Sequence, residues 1–318
     1  MRIVAPEADP APAIGAALGI APPRSNVHAP MPGFSFALLA LLMAVLANAG
    51  CSPVGALNAL AEPDASRLVT GIAYGSDPRQ RLDVYVPTKR TGPYPVVLFF
   101  FGGSWNSGAR ADYRFVGEAL ASRGVLTVIA DYRLFPQVRY PEFLEDSAQA
   151  AAWTGAHVQS YGGDRGRIYV MGHSAGAYNA AMLALDPRWL AKAGASTTMF
   201  AGFIGLAGPY DFLPIENLEV RPVFFYPDSP PDSQPILYAN PGSPRSFLAA
   251  PASDDLVDPE RSTHQLARKL AANGVAVTYR SYPGVGHVTL IGAMSRPLRW
   301  LAPVLDDIDE FIRSDGKH

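Results

Sequence analysis

The chain of 318 residues is 48% hydrophobic and 17% charged, a composition that fits a globular protein with a large core. Its 26 basic and 28 acidic residues nearly cancel and no basic run is present, which argues against a nucleic-acid partner. A single cysteine excludes an internal disulfide and a cysteine-rich zinc site. The sequence implies no metal and no organic cofactor.

Residues 1–50 are predicted to lie outside the folded domain. Residues 1–33 are rich in alanine and proline and have few large apolar residues, which indicates a segment that is either disordered or not translated. The apolar run at 34–47 is shorter than the roughly 20 residues of a spanning helix and fits the core of a signal peptide. Small residues followed by Cys51 resemble a bacterial lipobox, in which the cysteine is lipidated.

Two departures from the lipobox pattern leave an alternative open. Asn48 stands where leucine is usual, and no lysine or arginine lies just upstream of the apolar run. The alternative is an uncleaved N-terminal anchor. Both interpretations predict an exported protein of the cell envelope, lipid-anchored or periplasmic, with a linker at 51–66 and a catalytic domain at 67–318.

Strands and helices are predicted to alternate through this domain, beginning with an antiparallel edge hairpin. The strands are predicted at 69–74, 80–86, 95–101, 125–130, 168–172, 200–207, 247–250 and 275–279. Helices are predicted at 111–123, 140–153, 178–185, 262–272 and 301–312. Such alternation predicts an α/β fold with a mostly parallel central sheet and helices on both faces. Chemistry in these sheets gathers at the carboxyl ends of the strands.

The best candidate nucleophile is Ser174, in the G-x-S-x-G motif at 172–176. A buried strand precedes the motif and an alanine-rich helix follows it, which is the context that lifts a serine hydroxyl to the top of a sheet. The motif alone would be weak, because an ordinary glycine-rich turn gives the same letters.

A serine hydroxyl needs a base, and His287 is the best candidate. It follows the last strand in a loop where Gly284 and Gly286 let the backbone present an imidazole. The other histidines lie at the chain ends, on predicted helices, or beside the serine and facing elsewhere: His28, His157, His173, His264 and His318.

Three aspartates after the strand at 247–250 compete for the role of orienting acid. Asp254 is nearest the strand end, where its position is best fixed. Asp258 precedes a proline and is typical of a helix N-cap. Asp255 remains an alternative to Asp254. The order Ser, Asp, His along the chain is that of an α/β hydrolase.

Acyl transfer also requires donors for the developing oxyanion. The loop at 102–104 follows a central strand and offers amides with no bulky side chain nearby. The amide of Ala175, directly after the serine, is a further donor. A simple glycine turn is the alternative for the loop.

From Val69 to Phe311 the chain resembles the α/β-hydrolase superfamily, in its esterase/lipase branch with an HGG-type oxyanion loop. The branch includes bacterial carboxylesterases of the feruloyl-esterase-like type and kynurenine formamidases. The resemblance is carried by the segments at 101–105, 131–134, 172–176, 254–257 and 284–287. It implies oxyanion amides at Gly103, Ser104 and Ala175, and its D-x-x-V pattern favours Asp254. Phe101 departs from the pattern, because many relatives carry histidine there.

The segment at 210–244 is too long for a plain loop, and we predict a short lid-like insertion. Its aromatic residues Phe224, Phe225 and Tyr226, together with Trp105, are expected to wall a substrate pocket. A packed surface excursion is the alternative.

The sequence therefore predicts a serine carboxylester hydrolase that acts through an acyl-enzyme on small to medium esters. The alternatives are an amide-cleaving relative, such as a formamidase or peptidase, and a catalytically silent protein that binds a partner with the same fold.

Overall fold

The computed structural model describes residue 58 and residues 64–314. The predicted tail, the apolar run at 34–47, Cys51 and most of the linker lie outside these described residues. Within the described part of the chain, no helix is both long enough and apolar enough to cross a membrane.

Eight strands form a single sheet in the order β1-β2-β4-β3-β5-β6-β7-β8. Their bounds are β1 Ser66–Ala73, β2 Arg81–Pro87, β3 Tyr94–Phe100, β4 Leu126–Ala130, β5 Gly163–His173, β6 Phe200–Leu206, β7 Ser246–Pro251 and β8 Val277–Tyr282. The β1–β2 and β2–β4 pairings are antiparallel, and the remaining pairings are parallel. The predicted edge hairpin and mostly parallel sheet are confirmed.

Seven α-helices connect or follow these strands in the described residues. Their bounds are α1 Arg114–Ser122, α2 Glu142–His157, α3 Ala175–Leu185, α4 Pro187–Lys192, α5 Gln265–Ala272, α6 His287–Gly292 and α7 Val304–Arg313. The helices pack in two groups: α1 contacts α7, and α2 contacts α3 and α4. The fold is that of an α/β hydrolase, with helices on both faces of the sheet.

The central strands are covered on both faces, which explains their continuous apolar sequence. Every residue of β3 is buried, and so is every residue of β4. The outer strand β1 is only partly buried and alternates in burial, as an edge strand should.

The last strand begins later than its sequence predicts. The predicted strand at 275–279 is replaced by β8, which starts at Val277. Gly274, at φ +78, ends helix α5, and the amide of Val275 still donates to the Leu270 carbonyl at 3.1 Å. Val275 therefore belongs to the helix terminus and not to the strand.

The contact between β3 and the start of α3 requires glycine at two positions. A Cβ atom on Gly176 would lie 2.1 Å from the Phe100 carbonyl oxygen, and one on Gly172 would lie 2.1 Å from the Gly176 oxygen. These distances join backbone atoms that have no flexible end to move aside. The glycines of the G-x-S-x-G motif therefore allow the helix to approach the sheet closely.

Replacing Gly176 with alanine should destabilise the protein by about 3 kcal/mol or more, because the methyl group overlaps the β3 backbone. The expected fall in melting temperature is about 6–12 °C for a domain of this size. Gly242→Ala is the matched control, since its methyl meets only the end of the Asn240 side chain, at 3.1 Å. A Gly176→Ala protein that melts within about 2 °C of wild type would contradict the close-contact argument.

Candidate active site

Ser174 lies on a strained turn between β5 and α3. Its backbone adopts φ 55 and ψ −125, a region that residues other than glycine rarely occupy. The turn is held by a hydrogen bond from the Ser174 amide to the Leu206 carbonyl, at 2.9 Å. This geometry places the serine at the carboxyl end of the sheet, beside the N-terminus of α3.

His287 and Asp254 are in direct contact after the last two strands. The Nδ1 atom of His287 lies 2.7 Å from Oδ2 of Asp254, and both side chains are nearly inaccessible to solvent. Since a carboxylate can only accept, Nδ1 carries the proton and Nε2 is left with its lone pair. His287 and Ser174 line the same cavity.

The loop around Asp254 fixes its carboxylate. Its second oxygen, Oδ1, accepts the amides of Leu256 at 2.9 Å and Val257 at 3.2 Å. Burial raises the pKa of Asp254, but the hydrogen bond and charge of His287 and these two amides outweigh it and lower the pKa overall. The carboxylate therefore stays ionised beside the imidazole.

The other two candidate acids, Asp255 and Asp258, differ from Asp254 in their surroundings. Asp255 is exposed to solvent. Asp258 Oδ1 accepts the amides of Glu260 at 2.9 Å and Arg261 at 3.1 Å, so Asp258 caps a helical turn as its Asp-Pro sequence indicates. Of the three, only Asp254 contacts His287 among the described residues.

A cavity of about 180 Å³ opens beside Ser174. One wall is apolar and includes Trp105, Phe212 and Val220. The lining also carries charged groups, of which Arg261 and Asp211 pair at 3.3 Å. Ser174 and His287 thus face a space that is lined by both apolar and charged side chains.

The three predicted oxyanion donors lie on two turns next to the serine. Ser104 and Ala175 line the cavity, whereas Gly103 precedes it in the loop, at φ +128. The carbonyl of Gly103 points back into the loop and accepts the amides of Asn106 and Ser107 at 3.0 Å. Within the described residues, the amides of Gly103, Ser104 and Ala175 donate to no backbone carbonyl or side chain.

The loop is braced by aromatic residues, although Phe101 stands where many relatives carry histidine. The Phe101 ring stacks on Tyr132, with centroids 4.8 Å apart, and on Tyr113, 5.8 Å apart. The Tyr132 hydroxyl donates to the Phe101 carbonyl at 2.8 Å. Arg79 donates to the carbonyls of Tyr132 and Gly108 at 3.0 and 2.8 Å. These contacts hold the loop in place although position 101 is phenylalanine and not histidine.

The predicted pocket wall needs a correction. Trp105 does line the cavity, but Phe224, Phe225 and Tyr226 do not. Phe224 is fully buried behind Trp105, with ring centroids 4.9 Å apart, because the 3₁₀ turn Arg221–Phe224 directs it into an aromatic cluster.

Phe225 and Tyr226 are 41% and 42% exposed and contact arginines instead of the cavity. Phe225 lies under the Arg139 guanidinium, and Tyr226 under that of Arg221. The insertion between β6 and β7 still walls the cavity, but through its first half, where Phe212, Pro214 and Ile215 lie.

Two residues at the site have no sequence signal of their own. Asn179 of α3 is fully buried and accepts the Trp105 indole N–H at 3.0 Å, which anchors the loop at 102–105 to helix α3. His173, which the sequence predicts to face elsewhere, instead packs on His287 with ring centroids 4.9 Å apart. Only the position of the Gly103–Trp105 loop and of α6 in space reveals these roles.

The described residues contain no candidate metal-binding site. No group of three or more histidine, cysteine, aspartate or glutamate side chains is placed there to hold an ion.

The eight-stranded sheet, the serine turn and the Asp254–His287 pair define the class of the protein as an α/β hydrolase. Residues 82–270 match the family model BD-FAE, and the chain belongs to this family.

Two curated relatives illustrate the similarity. The probable isoprenylcysteine alpha-carbonyl methylesterase ICMEL1 of Oryza sativa subsp. japonica is 40% identical over 154 residues, which are 47% of this chain and 36% of that protein. Esterase LipC of Mycobacterium tuberculosis is 34% identical over 240 residues, which are 68% of this chain and 58% of that protein. This chain thus spans little more than a third of the first relative and less than two thirds of the second.

Solved structures support the fold. The inhibited esterase B of Lactobacillus rhamnosis superposes with a TM-score of 0.67 at 21% identity, covering 88% of this chain and 96% of that one.

Proposed function

We propose that this protein is a serine carboxylester hydrolase that works through an acyl-enzyme. The observation that carries the proposal is the 2.7 Å contact between His287 and Asp254 at a cavity that His287 shares with Ser174. A hydroxyl, an imidazole and a carboxylate in this arrangement are the parts of a nucleophilic acyl-transfer site. The esterase names of the relatives agree with it.

In the proposed reaction, the Ser174 hydroxyl attacks the ester carbonyl carbon while Nε2 of His287 accepts its proton. The C–O bond to the alcohol then breaks, and His287 returns the proton to the leaving alkoxide. Water repeats these two steps on the acyl-serine and releases the carboxylic acid. Asp254 holds the imidazole in the required tautomer and stabilises its positive charge.

The amides of Gly103, Ser104 and Ala175 are proposed to bind the negative oxygen of each tetrahedral intermediate. Three features support this: the amides have no acceptor among the described residues, they flank the serine, and Ala175 begins helix α3, whose N-terminus favours a negative charge. Ser104 and Trp105 adopt positive φ values of 50 and 57, so the loop is held in a shape that aims its amides.

The size of the cavity predicts a preference for short acyl chains. A cavity of about 150 Å³ takes up benzene, so one of about 180 Å³ accommodates roughly six to eight non-hydrogen atoms. For nitrophenyl esters we expect kcat/KM to be highest between acetyl and hexanoyl, and at least about tenfold lower for dodecanoyl. A rate that rises steadily with chain length would contradict an acyl site of this size.

The ester assignment is tested with two substrates that share one acyl group. We expect acetyl esters to be hydrolysed much faster than the matched acetyl amides, because an amine is a poorer leaving group and requires a better-placed proton donor. Nitrophenyl acetate and nitroacetanilide provide the pair. Comparable rates on both would favour the amide-cleaving alternative, and no turnover of either would favour the silent binding protein.

We also propose that the protein is exported to the cell envelope, which rests on the apolar run at 34–47 and on Cys51. Labelling with radioactive palmitate in a bacterial host should mark the wild-type protein and leave Cys51→Ala unmarked. An unlabelled wild-type protein that still sediments with membranes would instead identify an uncleaved anchor.

A further inference from the structure

His173 makes the one side-chain contact to the backbone of the proposed base that the described residues provide. Its Nε2 atom lies 3.0 Å from the carbonyl oxygen of His287. Because a carbonyl can only accept, Nε2 carries the proton and Nδ1 bears a lone pair. The ring is 4% exposed, and it lies against the His287 ring.

The surroundings keep this tautomer neutral. Burial first, and then the positive charge that His287 carries when it is protonated, lower the pKa of His173 to about 3. Nδ1 is buried without a hydrogen-bond partner among the described residues, and it faces the start of the oxyanion loop. A Cβ atom on Gly102 would lie 3.2 Å from Nδ1 and 2.9 Å from Ser174 Cβ. His173 therefore occupies the junction of the serine turn, the oxyanion loop and the base.

The hydrogen bonds at Gly286, just before His287, are local: its amide donates to Thr289 Oγ1 at 2.7 Å, and its carbonyl accepts the Leu290 amide at 2.9 Å. Gly284 adopts φ +77, and a Cβ atom placed on it would meet nothing within 4 Å. Gly286 is also open, and α6 has only six residues. Asp254 holds the His287 ring at Nδ1, and the His173 ring packs against it with centroids 4.9 Å apart. The hydrogen bond from His173 Nε2 to the His287 carbonyl, at 3.0 Å, holds the backbone from which that ring projects.

We infer that His173 is a positioning residue, which sets the place of the His287 imidazole by hydrogen bonding to the His287 carbonyl. His173 is the last residue of β5 and directly precedes Ser174. The carboxyl end of this one strand therefore sets the positions of both the nucleophile Ser174 and the base His287. The inference deepens the proposed function and rests on it for its kinetic consequence. The hydrogen-bond geometry itself is independent of the substrate.

Three substitutions separate the hydrogen bond from simple packing. His173→Leu keeps an apolar side chain and removes the donor. His173→Gln carries an amide N–H at about the position of Nε2, whereas the amide of His173→Asn ends near Nδ1 and falls short of the carbonyl. The leucine and asparagine variants should lower kcat by about 10- to 100-fold with KM within about twofold of wild type. The glutamine variant should restore kcat to within about threefold.

A control for stability uses a buried hydrogen bond far from the cavity. The Tyr169 hydroxyl donates to the Ile312 carbonyl at 3.0 Å and accepts from Arg245 at 3.1 Å, so Tyr169→Phe also removes a side chain to backbone bond, together with one side chain to side chain bond. It should lower the melting temperature as the His173 variants do and leave kcat unchanged. If His173→Leu does not fold, the comparison of the glutamine and asparagine variants decides the question.

A spectroscopic readout distinguishes failure of this inference from failure of the proposed function. The downfield proton resonance of the His287 Nδ1–H bond to Asp254 should be sharp in the wild type and in His173→Gln, and broadened or lost in His173→Leu. That pattern in a protein without esterase activity would support the positioning role and reject the proposed function. Equal kcat and unchanged resonances in all folded His173 variants, or equal losses in the glutamine and asparagine variants, would overturn the inference.

Discussion

Replacing Ser174 with alanine should lower kcat for nitrophenyl acetate by about 10⁴-fold or more. The hydroxyl oxygen forms the covalent bond in the proposed reaction, and alanine offers no nucleophilic atom in its place. The cavity, the oxyanion amides and the Asp254–His287 pair all remain, so substrate should still bind. Steady-state kinetics with a substrate range that brackets the wild-type KM measures the effect.

Stability separates loss of chemistry from loss of fold in this variant. Serine and alanine share the strained backbone at φ 55, so the melting temperature should change little. Ser253→Ala is the matched control, because Ser253 is exposed and directly precedes Asp254. This variant should leave kcat unchanged. A folded Ser174→Ala protein with more than about a tenth of wild-type activity would reject the acyl-enzyme mechanism.

Replacing Asp254 with asparagine should lower kcat by about 10⁴-fold, nearly as much as loss of the serine. The asparagine oxygen can still accept the amides of Leu256 and Val257, as Asp254 Oδ1 does at 2.9 and 3.2 Å. Its NH₂ group then faces Nδ1 of His287 and favours the tautomer with the proton on Nε2. That tautomer cannot accept the proton of Ser174.

The neighbouring acid provides the control for this prediction. Asp255→Asn makes the same change of charge and shape one residue away, at an exposed side chain. Its kcat should remain within about twofold of wild type. Comparable losses in the two variants would show that the charge of the loop matters and not the contact with His287.

The sheet and the catalytic candidates could be predicted because their patterns are local. The continuous apolar run of β3 predicts a strand that is buried on both faces. The serine motif is recognisable because it follows a strand and precedes a helix. Asp254 could be preferred over Asp255 because a residue next to a strand end has its position fixed. The structure adds the physical reason, which is the pair of amides that hold its second oxygen.

The cavity wall could not be predicted, because it depends on how the β6–β7 insertion folds back on the sheet. Phe212 and Phe224 are the same residue type on the same insertion, yet only Phe212 reaches the cavity. The 3₁₀ turn Arg221–Phe224 directs Phe224 into the space behind Trp105. Neither the turn nor that space produces a periodic pattern in the sequence. The contact between His173 and His287 could not be predicted for a similar reason, since the two residues lie 114 positions apart in the chain.

The central claim is that Ser174 is an activated nucleophile, and a fluorophosphonate probe followed by peptide mapping tests it most directly. We predict one covalent adduct, on Ser174, that forms in the wild type, slows strongly in Asp254→Asn and is absent from Ser174→Ala. A folded wild-type protein that forms no adduct, or one that carries it on another residue, would contradict the account.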